Sequence, residues 1–273
     1  MRRGRIKKYL IFAKSAVQTT IAYRGQVLLW VFGSIVNAVL MGLVWWAVYK
    51  FSDGDAIGGY TFPQMLLYVV LSAVVGELTF SESMGLIGDD VRDGLIGIRL
   101  MKPVSYRAQL AFTSLGTFIA RFVIVCVPIT LVGTLIAVYA FGFTGIVWYN
   151  VLLFVPSCLL AAMLSDAVSF LFGQLAFRTQ AMFGIHSMSQ VIMNFLSGAI
   201  VPLSLFPAWA QTALAYTPFP SIASLPVRLF LGDMALTEVA VSFAVTLGWI
   251  IVLNVLGQLA FKSSVRRVVV FGG

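Results

Sequence analysis

From Gln26 onward the chain is mostly apolar, broken at a few places by short clusters of charge or proline. A membrane-spanning helix needs roughly 20 consecutive apolar residues. Six stretches meet that need: Gln26–Tyr49, Phe62–Phe80 (reaching as far as Glu82), Gln109–Ala140, Ile146–Phe177, Ala181–Leu205 and Glu238–Phe261. The third and fourth are longer than a bilayer requires, so they would tilt or run beyond it. Ahead of the first, Ile6, Tyr9, Leu10, Ala13, Val17 and Ile21 recur at helical spacing, with Arg5, Lys7, Lys8 and Lys14 between them. That spacing predicts a basic amphipathic helix over residues 1–25, lying flat at the membrane interface. A basic leader that merely follows the charge bias of membrane orientation is the alternative.

The stretch Phe206–Thr237 is too long and too apolar for a plain loop. Pro207, Pro218, Pro220 and Pro226 stop helices, while Trp209, Tyr216 and Phe219 favour an interface. Two half-helices that enter the bilayer and line or cap a pathway fit this pattern; so does an amphipathic loop resting on the surface. No internal repeat or low-complexity linker interrupts residues 1–273, which read as one membrane domain.

Composition supports that class. The chain is 60% hydrophobic and 10% charged, with a mean hydropathy of +0.98, whereas soluble domains carry about 25% charged residues. The expected fold is an all-α polytopic membrane protein with six spans, an N-terminal interfacial helix and proline-rich half-helices before the last span. The net charge of +8 does not imply a nucleic-acid partner, because the cations sit in short loops between apolar runs. Fifteen Lys and Arg fall on the side of the N-terminus, and two, Lys50 and Arg228, on the other. That asymmetry predicts both termini in the cytoplasm. Cys126 and Cys158 lie inside apolar runs and there is a single histidine, so neither a disulfide framework nor a zinc site is expected. Lys14 interrupts the first apolar stretch and no cleavage site follows, which argues against a signal peptide.

Enzymatic signatures are missing. No G-x-x-x-x-G-K-[ST] loop occurs, so this chain has no Walker-type phosphate cradle. His186 stands alone, which excludes H-E-x-x-H chemistry, and no G-x-S-x-G elbow surrounds Ser187, Ser189 or Ser197. His186 is expected to be a hydrogen-bonded helix residue. Ionisable groups inside spans are functional candidates. Glu77, Arg121 and Asp166 are three of them. Asp166 precedes Arg178 by 12 residues, about 18 Å along a helix, which places it near the midplane. Arg121 could pair with Asp166 or Glu77 and staple helices together; alternatively, one of the three lines a substrate path with polar neighbours such as Asn194.

One segment stands apart. Gly85–Arg107 carries Asp89, Asp90 and Asp93 beside Arg92, Arg99, Lys102 and Arg107, and cannot lie in hydrocarbon. Its order is an acidic-basic helix (Asp89-Asp90-Val91-Arg92-Asp93), then Gly94, then Leu100-Met101-Lys102-Pro103-Val104-Ser105. This resembles the cytoplasmic loop of type-2 ABC exporter permeases. A second match is Ser197-Gly198-Ala199-Ile200-Val201-Pro202-Leu203-Ser204-Leu205-Phe206-Pro207, continuing to Thr217-Pro218-Phe219 and Leu231-Gly232-Asp233. The resemblance covers nearly the whole chain and is closest to bacterial members of about this length without a large extracellular domain.

What the resemblance implies is a division of labour. A separate ABC ATPase dimer would bind ATP and Mg, so this chain would need no cofactor of its own. Two permease subunits, identical or homologous, would form the pathway in a bacterial plasma membrane. Asp89, Asp90, Val91, Arg92 and Asp93 would dock into the ATPase through charge complementarity, and Lys102 and Pro103 would turn the chain back towards the third span. The cargo would be amphipathic, lipid-like or drug-like, because the second and fifth spans carry few polar groups. An ion-coupled transporter or channel, and a scaffold for a peripheral ATPase, are the other readings of the same residues.

Overall fold

Helices α1 (Arg3–Ala22) and α2 (Arg24–Lys50) are followed by a two-stranded antiparallel hairpin, β1 (Ala56–Ile57) and β2 (Tyr60–Thr61), in which Ala56 pairs with Thr61 and Ile57 with Tyr60. Then come α3 (Phe62–Thr79), α4 (Ser83–Arg92), α5 (Ile96–Leu100) and α6 (Tyr106–Arg121). A π-helical turn, Phe122–Cys126, joins α6 to α7 (Val127–Phe141). The rest comprises α8 (Trp148–Gly173) with a 3-10 extension to Phe177, α9 (Met182–Leu196), α10 (Ala208–Ala215), α11 (Ser224–Leu231) and α12 (Leu236–Phe271). The computed structural model describes residues 3–142, 148–179 and 181–271. The expected start of the fourth span, Ile146, and the cation Arg2 lie outside the described residues.

Local chemistry explains several boundaries. Thr61 starts α3: its backbone N–H donates to Gln64 Oε1 at 2.8 Å, and Pro63 occupies the first turn, where its missing N–H costs nothing. Pro128 falls in the first turn of α7, just after the π turn, so a widened ladder precedes the residue that cannot donate to it. The core is built around α3, α8 and α11. Met65, Tyr68, Leu71, Cys158, Leu164, Phe170 and Val227 are buried there. The outward faces of α2 and α9 instead expose Leu29, Phe32, Val191 and Phe195, as lipid-facing helices do.

The bundle has two distinct ends. Tyr106, at the start of α6, stacks on Phe261 of α12 at 5.3 Å, and Tyr9 of α1 stacks on Phe112 of α6 at 5.3 Å. These contacts gather α1, α4–α6 and the far part of α12 at one end, called here the charged end. The β-hairpin, α10 and α11 mark the other, the hairpin end.

Five helices among the described residues are long and apolar enough to cross a membrane. The segment expected as the fifth span, Ala181–Leu205, differs. Only Met182–Leu196 is α-helical, about 22 Å at 1.5 Å per residue, short of the roughly 30 Å hydrocarbon core. Helix α9 stops because Gly198 takes a left-handed conformation (φ 82°) and Pro202 follows. The segment nonetheless runs from end to end: Met182 packs beside Gly88 of the α4 region, and Leu205 beside Gly58 of the hairpin.

Two other expectations sharpen. Helix α1 packs closely against α6 through small residues. Ala13 and Ala16 are buried, and a Cβ added at Gly116 would fall 2.2 Å from the Ala13 carbonyl oxygen. Leu10, Ile11 and Ile21 stay exposed. Of the two short helices in the proline-rich segment, α11 is buried along nearly its whole length against α3 and α8, whereas Trp209 of α10 and Tyr216 just after it are exposed.

Candidate functional site

At the charged end, α4 terminates at Arg92, and Gly94 (φ 70°) reverses the chain in a conformation that side chains with a Cβ rarely adopt. Lys102 and Pro103 lie exposed in the bend between α5 and α6. Arg92 bridges Asp89 at 3.0 Å and Asp93 at 3.2 Å, and all three are solvent-exposed. Such surface pairs add little stability, which leaves these charges free for another task. Beside them Leu95, Ile98, Leu100 and Met101 are also exposed, forming an apolar tip. Val91 is half-buried against the core of this end.

Asp90 departs from the expected docking set. It is 5% exposed and accepts hydrogen bonds from the Tyr106 hydroxyl at 2.9 Å and Arg99 Nε at 3.2 Å. Helical spacing is the reason: Ser83, Ile87 and Asp90 recur at i, i+4 and i+7, so Asp90 shares their inward face. It braces the loop from inside.

Between α3 and α4, residues 80–82 form an elbow held from two sides. From α6, Arg121 donates to the carbonyls of Glu77 and Phe80, each at 3.2 Å, and pairs with Glu82 at 3.0 Å. Its guanidinium lies 5.2 Å from the Phe80 ring and 5.6 Å from the Trp30 ring. A cation there satisfies carbonyls left open at the α3 C-terminus. From α8, Asp166 accepts from the hydroxyls of Ser81 (3.0 Å), Ser83 (2.5 Å) and Ser114 (2.7 Å) and pairs with Arg107 at 2.5 Å. Arg107 continues to Asn254 Oδ1 at 2.8 Å and covers the Phe170 ring at 4.7 Å. One buried carboxylate thereby ties together the elbow, α6, α8 and α12.

Neither pairing expected for Arg121 occurs: its ion-pair partner is Glu82, and Asp166 takes Arg107. Asp166 is shared by several elements. It is level with the elbow, because α4 tucks against the last turns of α8, where Gly173 meets Ile87. Glu82 and the three serines were not candidates in the sequence, and Arg107 was counted there only among the cations of the charged segment. The available signal was Arg107 itself, a cation at the start of a span with a buried acid elsewhere that needed one.

Glu77 and Asn194 do converge. Both line a cavity of about 810 Å³ between α2, α3 and α9, with Trp30, Asn37 and Gln190. Ser34 donates to Glu77 Oε1 at 2.5 Å across the α2–α3 contact. His186 sits edge-on to Phe80 at 5.8 Å, and its Nδ1 is buried without a hydrogen-bond partner among the described residues, contrary to expectation. Ser189 donates to the His186 backbone carbonyl, not to the imidazole. Among the described residues no group of three His, Cys, Asp or Glu side chains could hold a metal ion.

At the hairpin end, Pro207 precedes α10, and Pro218 and Pro220 bracket the turn leading to α11. A cavity of about 760 Å³ opens there, lined by Gln211, Thr217, Pro220, Ser224, Arg228 and Glu238 among others. Asp233 fixes its rim by pairing with Arg228 Nε at 3.1 Å and accepting from the Tyr60 hydroxyl at 3.2 Å. Burial, helped by the Asp233 charge, pushes the Tyr60 hydroxyl up to about 12.

A family model described as ABC-2 family transporter protein matches residues 26–272. No curated protein matches the chain.

Proposed function

The chain belongs to the ABC-2 transporter family, and on that footing we propose that it is the permease subunit of an ATP-driven exporter in a bacterial plasma membrane. The family match over residues 26–272 carries this reading. Permeases of this family work with an ABC ATPase, and the chain lacks a phosphate-binding loop of its own. ATP and Mg therefore belong to the partner, an ATPase dimer on the cytoplasmic side of the charged end.

Asp89, Arg92 and Asp93, with the apolar tip at Leu95, Ile98 and Met101, form the docking surface. Exposed charges around an apolar centre suit a protein partner. Asp90 holds that surface to α6, and Lys102 and Pro103 lead the chain into α6, so movement of the docking surface is passed to the third span. A second permease, identical or homologous, covers the exposed faces of α2 and α9. The cavity holding Glu77 and Asn194 then lies on the path between subunits, and amphipathic cargo leaves past the cavity at the hairpin end.

Inside-out vesicles test this reading. ATP should drive uptake of a fluorescent amphiphile, vanadate should stop it, and Asp89→Ala/Arg92→Ala/Asp93→Ala should reduce it at least tenfold at equal permease level. Equal uptake by the triple variant would remove the docking assignment, and vanadate-resistant uptake would remove the ATP-driven one.

A further inference from the structure

On the other side of the Ser34–Glu77 contact, a second cavity runs as a slot between α2, α3 and α7, with a volume of about 610 Å³. Its walls are apolar from Trp46 and Phe141 at the hairpin end, past Val70 and Val132; among the described residues, its polar lining is Ser34 and Glu77. From Ser34 to Trp46 along α2 it extends about 18 Å. The volume is within the range of small-molecule sites.

An apolar slot alone would take any hydrocarbon. The carboxylate at its end selects the head group. Glu77 has one oxygen occupied by the Ser34 hydroxyl, and among the described residues no cation makes an ion pair with it. Arg121 is near enough to feel its charge, but makes its ion pair with Glu82 at 3.0 Å. The three side chains together carry two negative charges and one positive. A charge within a span is costly unless it is compensated, and a protonated amine supplies both the missing positive charge and N–H donors. At the opposite end Lys50 Nζ lies 4.9 Å from the Trp46 ring, so an acidic amphiphile in the reverse orientation is the direct competitor.

We propose that this slot binds an amphiphile with a protonated amine head and a long hydrocarbon chain, the amine at Glu77 and the chain between α2, α3 and α7. An aminophospholipid of the bilayer and a small cationic amphiphile share that chemistry. As a cargo site the slot rests on the export reading above; as a binding site it does not, and the test reads binding alone.

The full-length chain in phosphatidylcholine nanodiscs is examined by electron paramagnetic resonance with chain-labelled stearylamine, stearic acid or phosphatidylethanolamine. Stearylamine should be immobilised at least about tenfold more tightly than stearic acid, a difference of about 1.4 kcal/mol. Glu77→Gln, which keeps an acceptor for Ser34, should abolish that preference. Gly42→Leu, whose Cβ meets Leu66 Cδ2 at 3.4 Å, should fill the slot and weaken binding of every probe. Equal immobilisation of phosphatidylethanolamine identifies a bilayer lipid as occupant, and immobilisation of stearylamine alone identifies a small amphiphile; either supports the site. No preference for amine over acid in the natural chain, or a preference that persists in monodisperse Glu77→Gln protein, overturns it.

Discussion

Asp166 is 3% exposed, yet its oxygens take three hydroxyls and a guanidinium. Removing one partner of such a buried pair strands the other charge, at a cost of about 3–5 kcal/mol. Asp166→Ala should therefore lower the thermal midpoint in detergent far more than Asp89→Ala, whose exposed bridge contributes under about 1 kcal/mol. Arg107→Ala added to Asp166→Ala should cost less than the sum of the two single changes, as a double-mutant cycle would show. Tyr60 gives a pH-dependent counterpart at the hairpin end. Pushed up to about 12, it keeps its proton in the fold after an unfolded tyrosine loses one near pH 10. The unfolded chain then binds fewer protons, so stability falls as pH rises from about 10 to about 12. Tyr60→Phe should remove that part of the fall in a pH series of unfolding midpoints. At this scale the sequence marked Glu77, Arg121 and Asp166 as candidates, but the ion pairs it expected for Arg121 are not the ones formed: Arg121 takes Glu82 and Asp166 takes Arg107. Pairing depends on how α4 and α6 fold back against α8, and hydropathy carries no information about that.

Elements were easier to read than contacts. Apolar runs long enough to span marked α2, α3, α6–α7, α8 and α12, and the prolines of residues 206–237 marked two short helices. The exception, α9, shows why length alone misleads. Its apolar run continues to Leu205, but Gly198 and Pro202 end the helix early. The α1–α6 contact was hidden for a related reason: the apolar spacing put Ala13 on a face expected to meet the membrane and passed over Ala16 and Gly116, which complete the contact. Gly116→Val should push these helices apart, costing about 1–3 kcal/mol as overpacking does. Faster tryptic cleavage after the exposed Lys14 would report the separation, and an unchanged cleavage rate would mean that α1 is held elsewhere.

For the molecule as a whole, the parts form a chain of connection from one end to the other. Exposed Asp89 and Arg92 sit on α4 and Asp93 just past its end; Asp90 and Tyr106 fasten that helix to α6; Asp166 and Arg121 fasten the elbow above it to α8 and α6. Beyond the elbow, α3 borders both cavities that Glu77 shares. A pull on α4 therefore reaches the helix that walls both cavities. The central claim is that this pull comes from an ATPase bound at the charged end. Mass spectrometry of the complex purified on the full-length chain, at natural expression in its own membrane, tests that most directly. The expected result is a stoichiometric partner carrying a G-x-x-x-x-G-K-[ST] loop, retained by the natural chain and lost with Asp89→Ala/Arg92→Ala/Asp93→Ala. A chain that purifies without any such partner, or a triple variant that holds it undiminished, would contradict the account.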